Sequence, residues 1–323
     1  MKSLTFILCY SIFVSSCLNS NKIEKLLVAN DKIVSANEFE MKSYESLPSW
    51  SKQYYSQKKY LELVDMHKRD YKKQSFKITY LSDGLKIKGI ITVPRNFSPE
   101  SVYPVVIYNR GGNRDFGAFN STFWLIDDYS NRGYIVFASE YRGSGESEGK
   151  DEFGGRDVND VINLISLSKK FKFTDKKNYF MVGSSRGGKM NYLVLKNGVK
   201  LNATVSIAAV SDQFLALEKR GEMERVFEEL VPNYYQNRKQ ELKKRSAIFW
   251  GDKINSPLLL LHGDNDWRVS YQQSVNLAKV LKKKGKTIKL KIYPKGDHSL
   301  NKEWDDVVNE MLSWFKLFTV SSK

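Results

Sequence analysis

The sequence predicts an α/β fold: a mostly parallel, twisted sheet with helices on both faces, opened by an antiparallel hairpin and carrying a helical insertion. Three observations predict it. "SFKITYLSDGLKIKGIITVP" (75–94) alternates apolar and polar residues on both sides of Asp83-Gly84, the pattern of a β-hairpin. Beyond it, short apolar runs and segments of helical period take turns along the chain. Those runs are almost continuously apolar, as strands covered on both faces must be.

At the N-terminus, "MKSLTFILCYSIFVSSC" joins a basic Lys2 to an apolar stretch from Leu4 to Val14, then small residues before Cys17. The stretch is too short to span a bilayer, so a cleaved export signal is expected. Val14-Ser15-Ser16-Cys17 resembles a bacterial lipobox, in which the cysteine is lipidated and becomes the new N-terminus. A plain secretory signal is the other reading. The expected location is exported and membrane-anchored, at the periplasm or cell surface, rather than freely secreted.

Residues 18–45 are polar and irregular and read as a tether. Residues 46–74, containing "LPSWSKQYYSQKKYLELVDMHKRD", read as a helical segment that packs against the main domain, which runs from 75 to 320. Within that domain the expected strands are "YPVVIYN" (103–109), "YIVFASE" (134–140), "NYFMVGS" (178–184), "NATVSIAAV" (202–210), "SPLLLLHG" (256–263) and "TIKLKIYP" (287–294). The expected helices are "TFWLIDDYSNRG" (122–133), "DVNDVINLISLSKK" (157–170), "GKMNYLVLKNG" (188–198) and "EWDDVVNEMLSWFKLF" (303–318). Residues 213–250 read as helices inserted between two core strands, a common position for a lid. Their acidic Glu218, Glu222 and Glu224 are placed either to meet a substrate amine or, as a plainer reading, on a solvated face.

Composition narrows the function. The 323 residues have a formal net charge of +16, mainly from lysines in runs such as "NRKQELKKR" (237–245) and "KKKGKTIKLK" (282–291). Such runs read as solvated helix faces. A nucleic-acid groove would want arginines interleaved with aromatics, so no nucleic-acid partner is expected, and the membrane is met only through the lipid anchor. The 2 cysteines, Cys9 and Cys17, both fall in the leader, which excludes a disulfide framework, a cysteine metal site and a cysteine nucleophile. No cofactor or metal is expected, and the sequence carries no signal for an oligomeric state.

Chemistry concentrates in "MVGSSRGGKM" (181–190). Gly183, Ser185 and Gly187 form G-x-S-x-G, whereas the same frame centred on Ser184 fails. A nucleophile at a sharp strand-to-helix turn sits in strained backbone, so residues two positions away must be tiny. A serine hydroxyl also needs a base, and the base an orienting carboxylate. Of the 3 histidines, His67 lies in the N-terminal helical region and His262 ends an apolar strand, where a core role is expected. His298 stands on a loop after the last strand, which fits the order Ser, acid, His of an α/β-hydrolase sheet. Asp264 and Asp266 share the preceding loop, and the residues alone do not choose between them. Asp297 adjoins His298 too closely to orient it.

"GSSRGG", "LLLLHGDNDWRV" and "YPKGDHSL", in this order, resemble the catalytic domain of the prolyl oligopeptidase family of serine peptidases. "EYRGSGESEGKDEFGGRDVNDV" (140–161) extends the resemblance, which covers about residues 76–318. It implies an α/β-hydrolase with Ser185, Asp266 and His298 as the triad, cleaving peptide bonds through an acyl-enzyme. A carboxylesterase or carbohydrate acyl esterase on the same fold is the alternative, so the expected partner is a peptide or ester substrate. The oxyanion hole needs two donors. One is the backbone N–H of Arg186. The family's second donor is a tyrosine hydroxyl, but Arg110 of "YNRGGN" (108–113) occupies that position. The second donor is then either the Gly111 N–H or the Arg110 guanidinium, unless Arg110 pairs with Glu140 or Asp115. Arg268 matches a family arginine that holds a substrate carbonyl. Family members that select short peptides usually carry a propeller ahead of this domain, and the stretch between Cys17 and Ser75 is too short for one.

Overall fold

The computed structural model describes residues 20–54, 56–70, 74–119 and 129–321. Cys17 and the export-signal reading therefore lie outside the described residues, as does all but the end of the helix expected at 122–133.

Among the described residues, one sheet holds nine strands in the order β1-β2-β3-β5-β4-β6-β7-β8-β9. The hairpin is β2 (Ser75–Ser82) and β3 (Leu85–Thr92), turning at Asp83 and Gly84, both with positive φ. β3 pairs antiparallel with β5 (Ile135–Ser139), and from β5 onward all pairings are parallel. The strands β4 (Tyr103–Asn109), β6 (Thr174–Ser184), β7 (Ala203–Ile207), β8 (Leu258–Gly263) and β9 (Ile288–Tyr293) follow the apolar runs of the sequence. The α/β architecture is as expected.

The tether expected at 18–45 is not what forms. Helix α1 (Ser20–Val28) buries Ile23 and Leu27, and β1 (Ile33–Glu38) pairs antiparallel with β2. An edge strand buries only some of its side chains, here Ile33 and Ala36, so "IVSANE" has too few apolar residues to stand out. The domain consequently begins well before Ser75. Helices α2 (Ser49–Tyr54) and α3 (Gln57–Asp70) form the expected N-terminal pair, with His67 on α3.

Apolar side chains alternate between two layers. On β4, Val105 and Ile107 face one core with Val161 and Leu164 of helix α4 (Asp157–Ser168), while Val106 and Tyr108 face the other. Helix α5 (Arg186–Lys196) packs in the first core, and α10 (Trp304–Leu317) closes the second. Burying a Val, Leu or Phe in such a layer contributes about 1.5–3 kcal/mol each. Between β7 and β8 the chain inserts α6 (Gln213–Lys219), α7 (Glu224–Leu230) and α8 (Tyr234–Lys244), which share a small core with Phe153. The helix α9 (Gln272–Lys283) then leads to β9.

After β4 the chain places β5 on one side and β6 on the other. That reversal opens a crevice at the carboxyl ends of β4 and β6, where ligands of open α/β sheets bind.

Candidate active site

Ser185 sits at this crevice, between the end of β6 and the start of α5. Its φ is +56° and ψ −119°, a conformation strained for any residue with a side chain. Its backbone N–H is fixed to the Ile207 carbonyl of β7 at 2.8 Å. The flanking glycines are a steric requirement. A Cβ on Gly187 would lie 1.9 Å from the Asn109 carbonyl oxygen, and one on Gly183 2.3 Å from that of Gly187. Behind the turn, Asn109 Nδ2 donates to Asn191 Oδ1 (2.9 Å), and Asn191 Nδ2 donates to the Val205 carbonyl (2.8 Å), locking β4, α5 and β7 together.

His298 follows β9 and lines the same cleft as Ser185. Its Nδ1 is 2.7 Å from Oδ2 of Asp266. Asp266, rather than Asp264, reaches the ring. Asp264 instead accepts the Lys295 N–H at 2.6 Å and braces the loop before His298, while Asp297 accepts the N–H groups of Ser299 and Leu300. Oδ1 of Asp266 accepts the N–H groups of Arg268 (2.8 Å) and Val269 (2.9 Å).

The sequence reading missed a second imidazole on this carboxylate. Buried His262 places Nε2 3.1 Å from Asp266 Oδ2 and 2.8 Å from the Val269 carbonyl, while its Nδ1 faces Ser274 Oγ at 2.7 Å. Burial works against the Asp266 charge, but hydrogen bonds from His262, His298 and the backbone outweigh it and hold its pKa below the usual carboxylate range. The four-residue spacing of His262 and Asp266 was visible in the sequence; that both meet across the end of β8 was not.

The loop after β4 forms the facing wall. A Cβ built on Gly111 would lie 3.3 Å from Ser185 Cβ, so its backbone runs beside the serine. The Arg186 N–H is the first amide of α5, a position with no intrahelical acceptor. The Arg110 guanidinium is engaged elsewhere, which corrects the expectation that it could serve as the second oxyanion donor. Its Nε is 2.8 Å from Glu140 Oε2, and its other nitrogens donate to the carbonyls of Gly111, Phe116, Arg114 and Glu140 and to Ser144 Oγ. With 1% of its surface exposed, this cation is a structural strut for the loop. Glu140 holds the same loop through the Phe119 N–H (2.8 Å). The Arg186 guanidinium is likewise occupied, by Asp151 (2.6 Å) and Asp157 (2.8 Å). Burial opposes its charge, but these carboxylates keep it protonated.

The inserted helices cover the cleft, whose volume is about 590 Å³. Arg114 of the β4 loop is ion-paired with Glu229 of α7, bridging the insertion to the opposite wall. Arg268 lines the cleft with its guanidinium 5.0 Å from the Trp267 ring, and Trp267 is 72% exposed at the rim. Glu218, Glu222 and Glu224 are not among the cleft-lining residues. They pair with Lys219, Arg220 and Arg238 on the outer surface, the solvated face that was the plainer expectation.

The sequence matches the prolyl oligopeptidase family over residues 120–319. An uncharacterized peptidase of Bacillus subtilis, YtmA, is 30% identical over 243 residues, spanning 75% of this chain and 93% of that protein. Dipeptidyl-peptidase 5 of Aspergillus oryzae is 24% identical over 255 residues, which cover 74% of this chain but 35% of that one. The structure resembles the acylaminoacyl peptidase of Pyrococcus horikoshii with a TM-score of 0.60 at 22% identity, over 75% of this chain and 40% of that chain. At this identity the likeness speaks for the α/β-hydrolase fold. The family match and the Bacillus relative together establish that the chain belongs to the prolyl oligopeptidase family of serine peptidases.

Proposed function

We propose that the protein hydrolyses peptide bonds through an acyl-enzyme, with Ser185 as nucleophile, His298 as general base and acid, and Asp266 as the carboxylate that orients His298. The observation that carries this reading is the opening of the strained Ser185 turn and the Asp266-bound His298 onto one cleft. Nε2 of His298 takes the Ser185 proton as Oγ attacks the scissile carbonyl. Asp266, ionised and fixed by two backbone N–H groups, keeps the proton of His298 on Nδ1 and stabilises the imidazolium. The N–H groups of Arg186 and Gly111 receive the developing oxyanion. His298 then returns its proton to the leaving amine, and water repeats the sequence to release the acid.

Arg268 holds a substrate carbonyl in this reading. A charge-assisted hydrogen bond of that kind contributes about 1.5–3 kcal/mol. Arg268→Ala should therefore cut peptide hydrolysis by roughly ten- to a hundredfold and leave a short acetyl ester nearly untouched. Fluorophosphonate labelling should survive Ser184→Ala and vanish in Ser185→Ala, with a rate loss of at least about 10³-fold. Labelling lost in Ser184→Ala alone would overturn the nucleophile. Rapid ester turnover without peptide cleavage would move the enzyme to the esterase reading.

We also propose that the mature protein is exported and held at a membrane through lipidated Cys17, on the strength of the lipobox-like Val14–Cys17 stretch. Cys17→Ala should release active enzyme from the membrane fraction.

A further inference from the structure

Lys189 lies one helical turn beyond Ser185 and lines the same cleft, yet the triad chemistry does not use it. Its side chain is buried, with 1% of the residue exposed. Nζ donates to the Phe153 carbonyl at 3.0 Å and stands 3.3 Å from the centre of the Phe153 ring. No ion pair joins it to a carboxylate among the described residues, which sets it apart from its cationic neighbours. Arg186 has Asp151 and Asp157, and Arg245 has Glu241. Burial, reinforced by Arg186 and Arg245, pushes the Lys189 pKa well below the ordinary lysine value, against the weaker opposing pull of Asp157 and Asp151.

A second observation concerns the whole cleft. Its described lining residues include Arg110, Arg114, Arg186, Lys189, Arg220 and Arg268 but no aspartate or glutamate. Most of these cations are balanced by carboxylates set behind the wall or outside the rim, such as Glu140, Glu229 and Glu222. Lys189 lacks such an ion-pair partner among the described residues, and it lines the same cleft as Ser185. One turn of helix is about 5.4 Å, which suits a long side chain extending from a scissile residue held at Ser185. The walls around this position, Phe153, Leu217, Met223 and Phe227, are apolar. They would clasp a methylene stem and strengthen any charge pair at its tip by excluding water.

We propose that Lys189 makes this pocket a recognition site for an acidic side chain, glutamate in particular, on the acyl side of the bond cleaved. An entering carboxylate, together with a proton taken up from solvent, completes the ion pair that Lys189 lacks in the free enzyme. A neutral isostere leaves the amine without a charged partner and loses a charge-assisted hydrogen bond. The proposal deepens the peptidase reading and rests on it for the identity of the substrate.

The test compares Glu, Gln, Leu and Phe at the acyl-side position, in peptide p-nitroanilides and in N-acetyl amino-acid thioesters. Aminoalkyl phosphonates with Glu or Gln side chains add the rate of Ser185 labelling. Wild type should prefer Glu over Gln by at least about tenfold in kcat/KM. Lys189→Met should lose that preference and gain on Leu, with general fluorophosphonate labelling reporting how much of the variant is folded. If Glu is no better than Gln in wild type, the proposal is overturned, whatever the variant does. Thioesters that follow the predicted order while anilides stay intact would sink the peptidase reading and keep the pocket. Absence of turnover and of labelling in every series would overturn both.

Discussion

Oδ2 of Asp266 lies 2.7 Å from Nδ1 of His298 and receives His262 on its other flank at 3.1 Å. The carboxylate is thus held by two imidazoles and two backbone amides at once.

This has a pH signature. The folded-state pKa of Asp266 is depressed, so its stabilisation is fully present above the unfolded value of about 3.9 and is lost as pH falls below it. Asp266→Asn should lower the melting temperature clearly at pH 7. The gap to wild type should narrow progressively below about pH 4. A gap that stays constant down to pH 3 would mean that the native carboxylate is not specially stabilised. If Asp266 orients His298 as proposed, activity of the variant at pH 7 should fall by about 10⁴-fold as the tautomer of His298 is no longer fixed.

Arg110 separates a structural role from a catalytic one. Arg110→Ala leaves buried Glu140 without its cation, so a loss of about 3–5 kcal/mol in unfolding free energy is expected in denaturant titrations. Any fall in kcat of the folded fraction should come with that loss of stability, through a shift of the loop that carries Gly111. A large fall in kcat with little loss of stability would return the guanidinium to the oxyanion hole.

Gly187→Ala tests the turn itself. The added methyl would meet the Asn109 carbonyl at 1.9 Å, backbone against backbone, with no flexible side chain to give way. The expected cost is about 1–3 kcal/mol or more, together with loss of phosphonate labelling as the serine is displaced. Gly198→Ala is the comparison: open space surrounds that position, and only its φ of +84° opposes the change.

Glu229→Gln addresses the bridge between α7 and the β4 loop. Both partners are substantially exposed, so the melting temperature should barely move. What should change is access: kcat/KM for long peptides should rise several-fold, while short substrates stay unaffected. Raising salt should produce the same difference in wild type and little in the variant. Identical responses to length in both proteins would show that the bridge does not limit entry.

Much of this architecture was legible because its signals are local. The hairpin turn at Asp83-Gly84, the glycines framing Ser185 and the histidine on the loop after the last strand each declare themselves within a few residues, whereas local pattern left the acid open between Asp264 and Asp266. β1 was not legible, since its burial depends on a partner, β2, whose paired residues lie 38 to 47 positions away, and on its place at the sheet edge. Arg110 looked ambiguous for a similar reason. Whether a guanidinium faces a substrate or Glu140 is decided by the distance between two loops, which no local pattern encodes. Lys189 was hidden differently. It sits in an ordinary helical run, and only the fold shows that its amine meets the Phe153 carbonyl and forms no ion pair among the described residues.

The positive φ of Ser185 bears on why this chain still reads as an enzyme. Holding a residue with a Cβ in that conformation costs about 1–3 kcal/mol. Glycine would occupy it without that penalty, at about 0.5–1 kcal/mol of extra backbone entropy. Ser185→Gly should therefore fold at least as firmly as the native protein while losing its chemistry. Folding alone gives no reason to keep a serine there. If Ser185 is the nucleophile proposed above, its side chain is kept for reactivity against the preference of the backbone.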